Sequence, residues 1–293
     1  MLGKWLRRLI LKKEGKRNPL GDPPLRLPGQ WVREELDRAL TDFALAVVLP
    51  LVVPIFWGCF QLTSALAGDG WPSGRATLFG ALGWLAIVAL FWRSAWQKRS
   101  QIRNLRLGML AEQIVGQQLE RCRTAGYYVF HDIPCQGRTT PFNIDHLVIG
   151  PGGIFVVETK ARSKPDKGQT IAWLEGNAVR FSDGSYNASA IAQAEAIAGH
   201  VIALLKPLIR ESRILCDAFT PNRPLPVQPV LVYPGWYTER RKGEWHNVLL
   251  TNTDGVVGFV RKSKPRLSDQ EAKRIALILG KHLQQERRGL LDH

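Results

Sequence analysis

The sequence predicts an α/β protein, a sheet flanked by helices and preceded by a pair of apolar helices. Three observations carry that expectation. Residues 142–160 read FNIDHLVIGPGGIFVVETK, two apolar, β-branched runs around Gly-Pro-Gly-Gly, which is the pattern of a β-hairpin. Helical periodicity recurs on both sides of it, at 108–122, 188–209 and 268–284. Two charge-free stretches, 43–66 and 76–92, stand between cationic flanks. With 293 residues, 45% hydrophobic and 22% charged, the chain can bury a core and is too apolar for disorder.

At the N-terminus, Leu2, Trp5, Leu6 and Leu9 fall at helical spacing among Lys4, Arg7, Arg8 and Lys12. Two readings stand: a short helix in a lipid headgroup region, or a basic tail. A cleavable signal is excluded, because the first long apolar run begins only at residue 43. Residues 18–30 (NPLGDPPLRLPGQ) read as a linker. The 43–66 run is long enough for a hydrocarbon core of ~30 Å. Pro50 and Pro54 kink it, which a membrane helix tolerates when a neighbour or water satisfies the freed carbonyls. A polar turn at 68–75 leads to the second run, with Trp71, Trp92 and Trp96 at interfacial positions.

A buried hairpin in a soluble core competes with a membrane hairpin, and the cationic flanks favour the membrane. The positive-inside rule then puts both termini in the cytoplasm, in a multi-pass protein of the inner (cytoplasmic) membrane with the lipid bilayer as a partner. Net charge supports this: of the total +15, the segments 1–41 and 93–106 hold +10. Charge placed there suits anionic lipid at least as well as DNA. The expected organisation is a basic segment at 1–41, a transmembrane hairpin at 42–93, a basic juxtamembrane helix at 94–107 and a folded domain at 108–293.

In that domain, Leu110, Ile114, Val115 and Leu119 share one face of the first helix, which also carries Glu112. A strand near 127–134 precedes the hairpin. Residues 170–184 read as a weak strand pair with a Gly-Asn turn, 188–209 as a long Ala-rich helix and 227–234 as a buried strand. A basic loop and another strand follow at 239–251, then a helix N-capped by Ser268 ahead of Glu271. Cys59, Cys122, Cys135 and Cys216 form no CxxC pair and read as reduced, small core residues. The six histidines offer no zinc-ligand spacing.

The chemistry concentrates in the hairpin. A turn centred on 150–153 sets Ile149 opposite Ile154, Leu147 opposite Val156 and Asp145 opposite Glu158, with Lys160 on the same face as Glu158. Opposed Cβ atoms lie only ~4.5–5.5 Å apart, so two facing carboxylates repel unless a cation sits between them. A solvated face with an ordinary Lys160 ion pair is the competing reading. The apolar neighbours Leu147, Ile154 and Val156 weigh against it. By alternation His146 points away from the carboxylates into the core, and His131 and Asp132 have no identifiable partner. The Gly-Pro-Gly-Gly run is a turn and not a phosphate cradle, since no helix N-terminus follows it. Arg138, Arg162, Lys164, Lys167 and the 240–242 loop suit either phosphate contact without base readout or a solvated face.

From Gly108 to the last helix, the sequence resembles the nuclease-related domain (NERD) family of the PD-(D/E)xK, restriction-endonuclease-like superfamily. The resemblance rests on Ala111-Glu112, the whole 142–160 hairpin and the later helix–strand–strand–helix order. It implies a restriction-endonuclease-like mixed sheet flanked by helices. It also implies that Asp145 and Glu158 ligate Mg²⁺ (or Mn²⁺), with the Thr159 carbonyl as a further ligand. Lys160 then orients the attacking water or offsets transition-state charge, and Glu112 completes the site. Gln193 is the counterpart of an assisting Gln on the following helix. The sequence departs there: an Asn-Pro-x-x-Gln pattern is expected, but Asn187 precedes Gln193 by six positions without a Pro. The function implied is a membrane-anchored, Mg²⁺-dependent nuclease hydrolysing phosphodiester bonds in DNA. Two alternatives stay open: a weak or inactive nuclease-fold module that binds nucleic acid or protein partners at the membrane, and a membrane scaffold.

Overall fold

A computed structural model describes residues 25–67, 74–137, 140–241 and 246–292. The amphipathic N-terminal pattern, the 68–73 part of the turn with Trp71, Arg138 and Lys242 lie outside the described residues. In chain order the elements are α1 (Gln30–Leu66), α2 (Gly74–Glu120), a 3₁₀ turn (Arg121–Ala125), β1 (Tyr128–Gln136), β2 (Pro141–Gly150) and β3 (Gly153–Thr159). Then come β4 (Ile171–Glu175), β5 (Ala178–Phe181), β6 (Tyr186–Asn187), α3 (Ala190–Arg210) and α4 (Arg213–Cys216). β7 (Val227–Val232), β8 (Tyr237–Glu239), β9 (Leu249–Thr251), α5 (Thr253–Lys262) and α6 (Asp269–Asp292) complete the chain.

α1 and α2 form an antiparallel apolar pair. Pro54 has no N–H, which orphans the carbonyl of Pro50 four residues earlier, and the Trp84 indole N–H donates to that carbonyl at 2.9 Å. The helices approach closely where Trp57 lies over Gly80; a Cβ there would sit 2.8 Å from the indole. Large apolar side chains point away from the pair, among them Ile55, Phe56 and Phe79. Both helices are long and apolar enough to cross a membrane. α3 also passes that test, but its Ile191, Ile197, Val201, Leu205 and Ile209 are buried within the folded domain. Its apolarity serves the core.

The second apolar run, the basic stretch and the helix bearing Glu112 are one uninterrupted helix of 47 residues. The backbone thus runs from the apolar pair into the functional site without a hinge. A five-stranded sheet of order β1-β2-β3-β7-β9 is antiparallel through β3 and parallel from β3 onward. One face packs on α3 and α6 through Leu147, Ile149, Ile154 and Val156. The other packs on α2 and α5 through Val115, Leu119, Val148, Phe155 and Val157. This is a mixed α/β sandwich of the nuclease-like kind.

At several points the structure departs from the sequence pattern, and the end of the expected linker at 18–30 is among them, since Pro28 and Gly29 pack on α2. The pattern does not reveal α5, whose apolar stripe covers only a few residues; Asn252 N-caps it, its side chain accepting the Gly255 N–H. The weak strand pair is half of a second, four-stranded sheet of order β6-β5-β4-β8, whose partner strand comes from a distant segment. Of the cysteines, Cys122 and Cys135 are core residues, whereas Cys59 and Cys216 are exposed; all four are free. His131 and Asp132 do have partners, Glu120 for the first and Arg26 for the second. The Ser268 cap is a reciprocal capping box: Glu271 N–H donates to Ser268 Oγ, and Ser268 N–H to Glu271 Oε2.

Candidate active site

The hairpin register follows the sequence pattern, with Ile149 opposite Ile154 and Leu147 opposite Val156. The turn depends on its glycines. Gly153 has φ 126°, and a Cβ on Gly150 would run into the Tyr127 ring. The ladder continues to His146 and Val157 and then opens. There Asp145 Oδ2 accepts the Thr159 backbone N–H at 2.7 Å, while the Lys160 N–H goes to Val232 O on β7. β3 thus parts from β2 at the site while staying paired to β7, and the Asp145 carboxylate takes the amide that the β2 backbone no longer pairs.

Glu158 projects from the opposite strand with Lys160. Lys160 Nζ donates to Glu158 Oε1 at 2.7 Å and to Gln193 Oε1 at 2.8 Å. Gln193 Nε2 donates to the same Glu158 oxygen at 3.1 Å. Carboxylate, ammonium and amide form a closed triangle. The missing Pro does not displace Gln193. Asn187 Oδ1 instead accepts the N–H groups of Ser189 and Ala190, starting α3 so that Gln193 sits one turn in, over the end of β3. Asn143, Asp145, Glu158, Gln193 and His200 border a cleft of about 500 Å³.

Glu112 comes from α2. It is buried, its Oε2 has no hydrogen-bond partner, and the charges of Asp132, Glu158 and Lys160 act on it. Burial, then Asp132 and Glu158, push its pKa up to about 8, with Lys160 pulling back. Burial, with Glu158 and Glu112 adding to it, holds Asp145 well above the usual carboxylate range. The predicted residues Glu112, Asp145, Glu158, Thr159, Lys160 and Gln193 therefore occupy one region.

Oxygen donors only, two of them on acids that repel each other, are the donor set of a hard cation such as Mg²⁺. The unpartnered Glu112 Oε2 and Thr159 Oγ1 leave coordinating capacity unused. Among the described residues, however, no group of three or more His, Cys, Asp or Glu side chains closes on one ion position. The residues fit a site of few carboxylates in which water supplies the remaining ligands, as is usual for Mg²⁺.

Sequence reasoning missed a second layer. Asp132 lies between the ladder pairs His131–His146 and Ile133–Ile144, at the level of Asp145, with φ 51°. Phe130 and Ile133 both enter the α3/α6 face, so the alternation of β1 slips by one residue at this point. Asp132 accepts hydrogen bonds from Arg26 Nε, from Trp31 N–H at 3.0 Å and from Asn143 Nδ2 at 2.9 Å. Asn143 also reaches Asp145 Oδ1 at 3.4 Å. The one sequence signal was Asn143, two positions from Asp145 on the same strand; nothing pointed to Arg26. His146 is buried and on the other face, as alternation predicts, its Nδ1 2.9 Å from His131 Nδ1. His131 Nε2 in turn lies 2.9 Å from Glu120 Oε1. Of the basic residues, Arg162 pairs with Asp183 and stacks over Phe181 at 4.1 Å, Arg241 stacks over Trp173 at 3.8 Å, and Lys164 and Lys167 are exposed.

Fold and site together define a mixed α/β protein of nuclease-like architecture, with an acidic, lysine-bearing centre at the opening of its β2–β3 hairpin. Residues 107–234 match the family described as nuclease-related domain (NERD). The match spans α2 from Leu107 through β7 and contains every predicted site residue. No curated protein and no solved structure matches the chain.

Proposed function

We propose that this protein is a membrane-anchored, Mg²⁺-dependent nuclease that hydrolyses phosphodiester bonds in DNA. The observation that carries the reading is the Glu158–Lys160–Gln193 triangle beside an Asp145 carboxylate fixed by the Thr159 N–H. Such a cluster places a cation and an amide against two acids at the edge of a cleft. A divalent ion, Mg²⁺ or Mn²⁺, would be held by Asp145, Glu158 and the Thr159 carbonyl, and would supply positive charge for the phosphate and lower the pKa of a bound water.

The chain's own groups do the rest. Lys160 Nζ turns from Glu158 toward charge developing on the phosphate oxygens. Gln193 holds Lys160 and Glu158 in register. Glu112, buried and with its Oε2 unpartnered, faces the same region and would complete the site, binding the ion directly or through a water. Contact with DNA through Lys164 and Lys167 is electrostatic and without sequence readout. The apolar pair α1/α2 spans the inner membrane with both ends cytoplasmic, and the basic stretch at 93–106 meets anionic headgroups.

The scarcity of converging acids favours a second reading, a domain that binds nucleic acid and turns over weakly or not at all. Full-length protein in detergent, incubated with plasmid and Mg²⁺ beside Asp145→Ala and Lys160→Ala, separates the two. Cleavage lost in both variants supports the nuclease. Cleavage that survives both rejects the site, and salt-sensitive binding without cleavage selects the second reading.

A further inference from the structure

The segment that leads into α1 is held by an acid of the nuclease-related sheet. Asp132 is fully buried, and its Oδ2 receives both the Arg26 guanidinium and the Trp31 N–H. Trp31 lies in the first turn of α1, so Asp132 satisfies a helix N-terminus as an N-cap carboxylate does, although it comes from 101 residues further along. The same segment packs on α2: a Cβ on Gly116 would lie 2.7 Å from Pro28 Cβ, and one on Gly29 3.1 Å from Met109 O.

The other side of this clamp faces the site. Asp132 Oδ1 accepts from Asn143 Nδ2 at 2.9 Å, and that amide also reaches Asp145 Oδ1 at 3.4 Å. Asp132 and Asp145 occupy the same level of the β1–β2 ladder, where the pairing is interrupted. Two acids at one level of a sheet repel, and only one of them, Asp132, has a guanidinium. Arg26 lies outside the 107–234 domain match, yet it neutralises the acid next to a predicted ion ligand.

We propose that Arg26 is a positioning residue of the nuclease centre, acting through Asp132 and Asn143 to fix the orientation of the Asp145 carboxylate. The segment entering the first apolar helix is then part of the site's framework. The inference rests on the reading of Asp145 as an ion ligand. Without the guanidinium, a buried carboxylate is left unpaired beside Asp145, the Asn143 amide is drawn toward it, and Asp145 keeps only its bond from Thr159.

The test uses full-length protein in detergent, with Mn²⁺ as the probe and its affinity read by electron paramagnetic resonance. Arg26→Ala is expected to weaken Mn²⁺ binding about 10-fold, the range seen when groups orienting a metal ligand are removed. It lowers kcat on a DNA duplex with KM unchanged. Arg26→Lys restores most of the affinity. Asn143→Ala reproduces the loss while leaving the Arg26–Asp132 pair intact, and the double variant is no worse than either single one, since both cut one path. Mn²⁺ affinity within about twofold of the parent in both single variants overturns the proposal, even if thermal stability falls, because the clamp is then only architectural. Should Arg26→Ala not fold, Arg26→Gln, which removes the charge but keeps a donor, takes its place under the same twofold criterion. A parent protein that takes no Mn²⁺, or an Asp145→Ala variant that binds it unchanged, removes the ion-site reading itself and this inference with it.

Discussion

Lys160 Nζ lies 2.8 Å from Gln193 Oε1, joining the end of β3 to the first turns of α3. The bond matters because Lys160 also holds Glu158, so one ammonium is shared between an acid and a neutral amide. Lys160→Ala is expected to lower the cleavage rate about 10²–10³-fold, as loss of a transition-state charge donor does. Gln193→Ala leaves the charge in place and loosens its position, for a smaller loss of roughly 10-fold. Single-turnover rates on a defined duplex measure both. Equal losses, or a larger one for Gln193, refute the assigned roles.

Glu112 gives the protein a pH signature in the absence of metal. Its folded-state pKa, about 8, lies above the ordinary 4.5, so between those values the folded state binds more protons than the unfolded one. Stability therefore falls as pH rises from about 4.5 to 8, with a limiting slope of about 1.4 kcal/mol per pH unit for one proton. Thermal unfolding in EDTA across that range shows the decline, and Glu112→Gln makes it shallower, the remainder belonging to the other acids that burial holds high, Asp145 and Asp132. Mg²⁺ stabilises most at the alkaline end, where the carboxylates are free to bind it.

The Trp84–Pro50 bond predicts a rescue. Trp84→Phe keeps the ring but leaves the Pro50 carbonyl without a donor inside an apolar helix pair, costing about 1 kcal/mol. Pro54→Ala restores the backbone N–H that carbonyl lacks, so the double variant recovers the loss. Unfolding in detergent measures the cycle. An additive result rejects the pairing.

Gly153→Ala tests the turn that sets the hairpin register. With φ 126° and the Pro226 carbonyl 2.8 Å from the added Cβ, the substitution strains the backbone by about 1–3 kcal/mol. Since Asp145 and Glu158 lie at the far end of that hairpin, Mn²⁺ affinity falls along with thermal stability. A loss of stability with unchanged affinity separates the turn from the site.

Much of this was legible in the chain because it is local. Period-two alternation around Gly-Pro-Gly-Gly fixes the β2–β3 register, and with it the level of Asp145, Glu158 and Lys160. The two charge-free runs, the Ser268 cap and the long Ala-rich helix α3 follow from local sequence alone. The Asn187 and Gln193 spacing was readable too, though not the cap that makes a proline unnecessary.

Other features depend on segments far apart in the chain and emerge only when it folds. No local pattern brings Arg26 to Asp132, breaks the ladder at Asp132, or hands the Thr159 N–H to Asp145. Nor does one pair β4 with β8. Residue order alone settles which side chains share a face, because that is set by the 3.6- and 2-residue periods of the backbone. Folding settles which faces meet and which buried acids find a partner, because those depend on long-range packing and on desolvation that no single segment carries.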